Sequence, residues 1–269
     1  MKNFPSASGG GIVQPGVETV VFVWHEGCPQ AYDMYKQSYI VLSGALVRLK
    51  RLDVISQNLA NIDTVGYKRA DVAFELFSLD NGGGETDMEK AVPAAGSVVI
   101  DFSPGDLVHT GNPLDIAVEG EGFISLEGGL YTRRGDLAVD SDGYLVTRSG
   151  RRVLGHGGQP IKVAPGADID IDGRGRVSAD GAEVDTIRVV TLPAGAKMVR
   201  AGGAVFYSPA PAAVVEARVR TGVLEASNVS PMMEMFKMIT VLREFERYQK
   251  AVQLFDEAAA KINNEVARV

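Results

Sequence analysis

The stretch from Ser230 to Val269 reads SPMMEMFKMITVLREFERYQKAVQLFDEAAAKINNEVARV. Its apolar positions recur in steps of three and four, which predicts one amphipathic helix with a nearly heptad stripe. That stripe comprises Met235, Ile239, Leu242, Phe245, Tyr248, Val252, Phe255, Ala259, Ile262 and Val266. Ser230 can cap the free amides of the first turn, and Pro231 suits the first helical position. At ~1.5 Å per residue the helix would run roughly 50 Å, so its apolar face needs a partner.

A second stripe lies near the other end of the chain. It comprises Tyr35, Tyr39, Leu42, Leu46, Leu49, Leu52, Ile55, Leu59 and Ile62. The pattern stops at residues 61–66, where Asn and Asp side chains compete with the helix and Gly66 can adopt positive φ. We predict two long terminal helices, paired as a coiled-coil-like stalk.

The composition limits the classes of function. A net charge of −7 and a pI near 5.1 argue against nucleic acid as a partner. No apolar run reaches the ~18 residues of a membrane span, so we expect no direct membrane insertion. Cys28 is the chain's single cysteine, and His25, His109 and His156 are far apart in sequence. These features predict neither a disulfide nor a zinc site.

Residues 1–33 differ from the rest of the chain. They are punctuated by Gly and Pro and show no sustained period. We expect a disordered extension or a mis-assigned start, because the helical pattern begins at Met34. An export segment, or a redox or metal feature at His25 and Cys28, is the alternative.

The middle of the chain is rich in short strand patterns separated by turn residues such as Asp142-Gly143 and Asp180-Gly181. Predicted strands cover residues 97–102, 114–118, 122–126, 130–132, 137–139, 144–147, 152–154, 161–163, 168–171, 176–178, 186–192, 205–207 and 217–221. Short strands without intervening helices favour an antiparallel sandwich or barrel. We therefore predict an α+β fold, with an N-terminal helix segment at 34–69, a linker at 70–96, a β-rich outer domain at 97–222 and a C-terminal helix segment at 223–269.

None of the candidate chemical sites is persuasive. Asp168 to Gly173 resembles the start of a calcium-binding loop, but Ala179 stands where such a loop needs a bidentate Glu. The alternating Asp and Ile there favour a strand. Gly120-Glu121-Gly122 lacks the third glycine of a dinucleotide fingerprint. His109 and His156 lie beside turns without a partner at catalytic spacing. We expect no enzyme activity, no metal and no cofactor.

The helical stripes also suggest contacts between molecules. Met232, Met233, Met235, Phe236 and Met238 surround the start of the last helix, and one partner helix cannot cover so wide a surface. We expect packing and assembly to involve Leu42, Leu46, Leu49, Leu52, Ile55, Leu59, Met235, Ile239, Leu242, Phe245, Val252, Phe255 and Ile262.

Several sequence runs resemble motifs of the bacterial flagellar rod and hook proteins. They lie at residues 56–68, 110–123, 131–136, 142–147 and 222–229, and together the likeness spans residues 34–266. The matching positions are Asn58, Leu59, Ala60, Asn61, Gly66, Tyr67, Lys68, Asn112, Leu114, Asp115, Gly120, Gly122, Phe123, Tyr131, Thr132, Arg133, Gly135, Ser227, Asn228 and Val229. Arg243-Glu244-Phe245-Glu246 resembles the proximal-rod type of this family, and the distal-rod type is the close alternative.

The resemblance implies a structural subunit of the flagellar basal body. Such a protein would be exported by the flagellar type III apparatus without a cleaved signal peptide. Its partners would be other copies of itself and neighbouring rod proteins, assembled through the terminal helices into a periplasmic shaft that transmits torque and encloses the export channel. A β-sandwich binding module on a helical stalk, and a calcium-dependent or hydrolytic enzyme, are the alternatives from other classes.

Overall fold

The structure is a computed structural model that describes residues 29–78, 91–164, 166–193, 195–216 and 218–266. It contains one long helix near each end of the described chain and a set of antiparallel strands between them. This arrangement confirms the predicted mixture of terminal helices and a central antiparallel β-region. The predicted extension at residues 1–33 falls largely outside the described residues.

The terminal helices are α1, Pro29–Ala60, and α2, Pro231–Val266. Helix α1 thus begins before Met34, so residues 29–33 are helical, contrary to the predicted extension. Helix α2 begins at the predicted proline, and the Glu234 amide donates to the Ser230 carbonyl at 3.0 Å. After α1 the chain turns through residues 61–66, with Gly66 at φ 65°. No helix among the described residues is long and apolar enough to span a membrane.

The two helices lie side by side and run antiparallel. Near one end of the contact Asn58 bonds Glu234, further along Arg48 pairs with Glu244 at 3.1 Å, and beyond that Gly44 faces the Tyr248 ring. Successive contacts therefore move backward in α1 as they move forward in α2. The finer expectation of coiled-coil packing stays a prediction.

Two strands follow α1 where the sequence predicts a linker. Strand β1, Ala70–Ser78, pairs antiparallel with β2, Ala91–Ile100, from Ala70↔Ile100 to Ser78↔Ala91. The linker prediction was therefore wrong about local structure for the described parts of 70–96. Alanine- and proline-containing segments such as residues 91–96 give no alternating signal, so pairing with β1 decides their conformation.

The strands from β3 to β16 form a unit that we call the β-body. Their bounds are β3 Leu107–His109, β4 Ile116–Val118, β5 Phe123–Leu126, β6 Leu130–Thr132, β7 Leu137–Val139, β8 Leu145–Thr147, β9 Ile169–Ile171, β10 Arg176–Ala179, β11 Ala182–Thr186, β12 Val189–Thr191, β13 Val199–Gly202, β14 Val205–Tyr207, β15 Ala213–Val214 and β16 Val219–Thr221. The last strand, β17 Val223–Glu225, leads out of the β-body toward α2.

The largest sheet of the β-body has six strands in the order β13-β14-β6-β5-β12-β15. A three-stranded sheet has the order β11-β10-β9, and β4, β3 and β7 pair with β16, β17 and β8. Every strand pairing described in the molecule is antiparallel. The main core lies inside the β-body and includes Ile116, Ile124, Leu126, Leu145, Ile161, Ile171, Val177 and Val219.

Most predicted strands are confirmed, and several are missed. Residues 130–132, 137–139 and 205–207 form strands with the predicted bounds, and the Asp/Ile segment is strand β9. Residues 152–154 and 161–163 make only isolated bridges. The missed strands are β1, β3, β11, β13, β15 and β17. Strands β3, β11 and β15 have largely exposed side chains, so they lack the apolar alternation on which prediction depends.

The predicted helical stripes divide into covered and uncovered parts. Ile55 is buried, and Leu52, Leu59, Phe245, Val252 and Phe255 are half-buried. Leu42, Leu46, Leu49, Met235, Ile239 and Leu242 are exposed. The interpretation that each helix covers the other's stripe within one chain was therefore wrong for these six residues. Ile262 lies outside the residues whose side chains are described.

Candidate functional site

A buried polar junction lies where the ends of the two helices meet the β-body. It is formed by Asn58, Tyr67, Lys68, Arg133, Glu225, Asn228 and Glu234, which come from four separate parts of the sequence. Five of them belong to the runs that resemble flagellar rod proteins. We call this set the junction.

Asn58 is the point where both helices and β1 connect. It is fully buried, and its amide nitrogen donates to the Ala70 carbonyl at 2.8 Å and to the Glu234 carboxylate at 3.1 Å. Its amide oxygen accepts from the Ala70 amide at 3.0 Å and from the Tyr67 hydroxyl at 3.2 Å. Only a side chain with both donors and an acceptor satisfies all four groups, which is a property of Asn and Gln.

The centre of the junction is a buried charge cluster. The Lys68 ammonium lies 2.5 Å from one carboxylate oxygen of Glu225, and the Arg133 guanidinium lies 3.5 Å from the other. All three side chains are at most 4% exposed. Lys68 also donates to the Ser103 carbonyl at 2.7 Å, and the Gly105 amide donates to Glu225 at 3.1 Å. The backbone thus supplies hydrogen bonds that a buried ion pair needs to offset its desolvation.

Burial changes the proton affinities in the junction. Desolvation lowers the pKa of Lys68, and its bond to Glu225 opposes this effect. Desolvation also lowers the pKa of Arg133, again opposed by Glu225. Desolvation raises the pKa of the Tyr67 phenol, which the nearby Arg200 charge partly offsets. These groups are held in place by burial and do not titrate against one another as an acid and a base would, so the cluster is a structural feature.

Asn228 ties the segment before α2 to the start of the β-body. Its amide oxygen accepts from the Arg69 amide at 2.6 Å, and its nitrogen donates to the Asp101 carbonyl at 2.9 Å. Arg69 in turn pairs with Asp101 at 2.9 Å. A hydrogen bond from the Ser103 amide, followed in effect by Arg69, lowers the pKa of Asp101. The chain entering the β-body is thus held to the chain leaving it.

Two family-motif glycines are required by close backbone approach. A Cβ at Gly66, which also has positive φ, would lie 2.6 Å from the Arg133 carbonyl carbon. A Cβ at Gly135 would overlap the Ile116 carbonyl oxygen. At both positions a larger residue would force the backbone apart.

Other motif residues support the β-body away from the junction. Asn112 donates to Asp115 at 3.1 Å, and Thr132 donates to the Ala204 carbonyl at 2.7 Å. Ser227 accepts from the Val229 amide at 3.3 Å. Phe123 and Tyr131 belong to an apolar cluster with Phe206. The remaining motif positions, Leu59, Ala60, Asn61, Leu114, Gly120 and Gly122, lie outside the junction contacts described above.

The sequence reasoning missed Glu225, Glu234 and Arg200. Glu225 follows two apolar residues in a short strand, and Glu234 follows two methionines at the start of α2. Both carboxylates are buried, and an acidic residue in such positions usually faces solvent. A charged residue within an otherwise apolar run was the available signal.

The exposed apolar faces of the helices form a second feature. On α2 they comprise Met232, Met233, Met235, Phe236, Ile239 and Leu242, each 41–68% exposed. On α1 they comprise Leu42, Leu46 and Leu49. Scattered apolar residues are normal on a surface, but consecutive turns of them on one helix indicate a contact surface.

The predicted chemical candidates form no site in the part of the chain that the structure describes. No group of three or more His, Cys, Asp or Glu is placed to hold a metal ion there. His109 lies in β3, and the His156 amide donates to Asp185 at 3.3 Å. A groove of about 700 Å³ beside Leu107, Glu121 and Met198 has Arg133 and Glu225 at its base, but these two already pair with each other.

Three family models match separate parts of this chain. "Flagella basal body rod protein" matches residues 39–68, "Flagellar hook protein FlgE/F/G D1 domain" matches 117–179, and "Flagellar basal body rod FlgEFG protein C-terminal" matches 220–265. The first and last of these contain Lys68 and Glu225, so the two terminal regions meet at the buried charge cluster.

Curated relatives extend the similarity over most of the chain. The flagellar basal-body rod protein FlgF of Mesorhizobium japonicum is 30% identical over 226 residues, which are 79% of this chain and 90% of the relative. The chain belongs to the flagellar basal-body rod protein family. FlgF of Salmonella typhimurium is 31% identical over 246 residues, covering 84% of this chain and 96% of the relative. The flagellar basal-body rod protein FlgG of Bacillus subtilis is 29% identical over 261 residues, covering 86% and 99%.

Membership of this family defines the class of function. Flagellar basal-body rod proteins are structural, so this chain is a structural subunit of the basal-body rod in the flagellum and not an enzyme. The family also implies assembly with other rod proteins. The junction is therefore the internal framework of a rod subunit.

Proposed function

We propose that this chain is a subunit of the proximal rod, and that its terminal helices assemble with other copies and with neighbouring rod proteins into the periplasmic drive shaft. In this proposal the helices form a coiled-coil-like axial core around the export channel, and the β-body is the outer domain. The flagellar type III apparatus delivers the chain to the rod. The observation that carries the proposal is the pair of antiparallel helices with exposed apolar faces.

Two observations favour the proximal type. The FlgF relatives, which represent that type, reach 30–31% identity, and the FlgG relative of Bacillus subtilis reaches 29%. Arg243-Glu244-Phe245-Glu246 also carries the Phe of the proximal type. The distal rod is the second candidate, since the FlgG relative is matched over 99% of its length.

The exposed faces explain how one chain can assemble repeatedly. The apolar face of α1 lies at Leu42–Leu49, whereas that of α2 lies at Met232–Leu242. Because the helices are antiparallel, these two faces lie at different levels along the pair. A contact between unlike surfaces that does not close into a ring produces a helical filament. Repetition of such a contact would produce a rod.

The proposal can be tested by deleting the gene and complementing it with variants. Deletion should abolish motility and arrest basal bodies before the rod is complete. Phe236 is 61% exposed, so Phe236→Glu should leave the purified subunit within about 0.5 kcal/mol of wild-type stability. It should nevertheless fail to restore rods, because it places a charge in an apolar contact.

Gln249→Glu is the matched control, because it adds the same charge at an exposed position of the same helix. This variant should restore swimming. The amount of each variant exported must be measured, so that loss of export is not mistaken for loss of assembly. Complete rods and normal swimming in the deletion strain, or in the Phe236→Glu strain, would refute assembly through this face.

The proximal and distal types can be separated by complementation. The chain should restore rods in a strain that lacks the FlgF-type subunit and fail in one that lacks the FlgG-type subunit. The reverse result would assign it to the distal rod and leave the assembly mechanism unchanged.

A further inference from the structure

The chain passes between the helix pair and the β-body at two places, residues 100–107 and residues 222–226. The two passages lie side by side, because β3 and β17 pair from Glu225↔Leu107 to Val223↔His109. The Ala226 amide extends this pairing by donating to the Asp106 carbonyl at 2.8 Å. Two adjacent strands form a single joint, and a joint of this kind permits hinge motion of the parts on either side.

Arg200 makes a third connection, from a distant part of the β-body. It lies in β13, which is an edge strand of the six-stranded sheet. Its guanidinium donates to the Lys68 carbonyl and, through the other terminal nitrogen, to the Gly203 carbonyl at 2.6 Å. Lys68 precedes Arg200 by 132 residues and belongs to the turn that follows α1.

Aromatic rings lie against the same guanidinium. The Arg200 guanidinium carbon is 4.1 Å from the centre of the Tyr67 ring and 5.4 Å from that of Phe206. Phe206 packs edge-to-face with Phe102 at 5.3 Å and with Phe123 at 6.2 Å. Arg200 therefore joins an aromatic cluster of the β-body to Tyr67, whose hydroxyl bonds Asn58 of α1.

We propose that Arg200 is a positioning residue that fixes the orientation of the β-body relative to the helix pair. The other long-range contacts of the junction, such as Lys68 with Glu225 and Asn228 with Asp101, lie along the two passages and strengthen the joint itself. Arg200 reaches the turn after α1 from a sheet edge outside those passages. A contact away from a joint restrains rotation about it, which contacts within the joint do poorly.

The chemistry of arginine suits this role. A planar guanidinium can lie against a ring and still donate to two carbonyls in different directions. Lysine keeps the charge but concentrates it on one ammonium, so it cannot reproduce both hydrogen bonds and the flat contact. The carbonyls of Lys68 and Gly203 would then compete for one group.

The rod gives this restraint a purpose. A subunit packed by its helices projects its β-body in a direction set by the joint, and neighbouring subunits meet the same geometry only if that direction is fixed. The inference concerns the geometry of one chain, so it holds for a proximal or a distal subunit. Its test is made on the isolated monomer and is independent of assembly.

Pulsed electron spin resonance between two spin labels measures the orientation directly. Cys28, the chain's single cysteine, is first replaced by Ser. Labels are then attached through Gln253→Cys on α2 and Ala182→Cys on β11, both at exposed positions. With Arg200 intact we expect one narrow distance distribution.

Arg200→Ala should lose the single distance and give a broad distribution, while circular dichroism shows both helix and sheet retained. Arg200→Lys should restore the narrow distribution only in part. Lys197→Ala is the matched control, because it removes an exposed cation from the segment just before β13 and should leave the distribution unchanged.

A folded Arg200→Ala protein with the wild-type distance distribution would overturn the proposal. So would equal broadening in Lys197→Ala, since that result would indicate a general effect of charge. If Arg200→Ala does not fold, Arg200→Lys decides, and a fully wild-type distribution in that variant refutes the role of the guanidinium.

Discussion

Lys68 shows how a surface-type residue becomes part of the interior of a rod subunit. Its ammonium group is fully buried and lies between the Glu225 carboxylate and the Ser103 carbonyl. Arg133 balances the second oxygen of the same carboxylate. A buried cluster of this kind contributes little net stability compared with apolar packing, but it penalises any arrangement that leaves one charge unpaired. It therefore specifies how the two terminal segments meet.

Removing one member of the cluster should be costly. Lys68→Met leaves the buried Glu225 oxygen without its ammonium partner, and such losses typically reduce the free energy of unfolding by about 3–5 kcal/mol. Urea denaturation of the purified monomer, followed by circular dichroism, measures this change. Lys50→Met, an exposed lysine of α1, is the control and should change stability by less than about 0.5 kcal/mol. If the two variants were equally stable, the cluster would not hold the junction together.

The contact between α1 and α2 combines a tight packing point with an ion pair. Gly44 allows the Tyr248 ring to lie against the backbone of α1, since a Cβ there would be only 2.6 Å from that ring. Arg48, one turn further, pairs with Glu244 at 3.1 Å and lies 5.3 Å from the Tyr248 ring centre. The exposed leucines of α1 lie on other faces of the same turns. One helix thus serves an internal contact and an external surface.

Filling the space at Gly44 should weaken the helix pair. Gly44→Leu improves helix propensity by up to ~1 kcal/mol, but overpacking against Tyr248 should cost about 1–3 kcal/mol and lower the net stability. Tyr248→Ala makes room for the added side chain. The double variant should therefore be more stable than the sum of the two single effects predicts, with a coupling of about 0.5–3 kcal/mol.

Ser56→Leu provides the comparison, because it adds the same side chain at an exposed position of α1. It should be neutral or slightly stabilising in thermal unfolding. Purely additive effects of Gly44→Leu and Tyr248→Ala would show that the two residues do not pack together in solution.

At the scale of the whole molecule, the helices are anchored at one end. The junction holds Asn58 and Glu234 at the β-body end of the pair, whereas both helices continue far beyond it to Pro29 and Val266. Helical stability in proteins comes mainly from tertiary packing, and a helix without it is marginal. The single chain should therefore be firm near the β-body and progressively looser toward the distant helix ends.

Hydrogen exchange on the monomer should show this gradient. Amides of residues 47–60 and 231–244 should be protected nearly as well as the β-body, whereas those of residues 29–40 and 255–266 should exchange much faster. Assembly should then protect the distant ends, because neighbouring subunits cover them. Both helices fully protected along their length in the monomer would contradict this expectation.

The sequence by itself determined the features that depend on neighbouring residues. The three- and four-residue spacing identified both terminal helices, Ser230-Pro231 marked the start of α2, and the turn glycines separated the short strands. These signals are local, since capping, periodicity and positive φ are properties of a few consecutive residues. The family motifs were recognisable for the same reason, because each is a continuous run.

Only the tertiary structure decided which surfaces are covered and which charges are paired. A stripe shows that a helix has an apolar face, but Leu46 and Ile239 are exposed while Val241 and Ile55 are buried. The choice depends on where the other helix lies. Likewise Lys68 and Glu225 are 157 residues apart, and Arg200 is 132 residues from Lys68. No local pattern encodes such distances, so the junction that defines this rod subunit exists only once its distant segments are packed together.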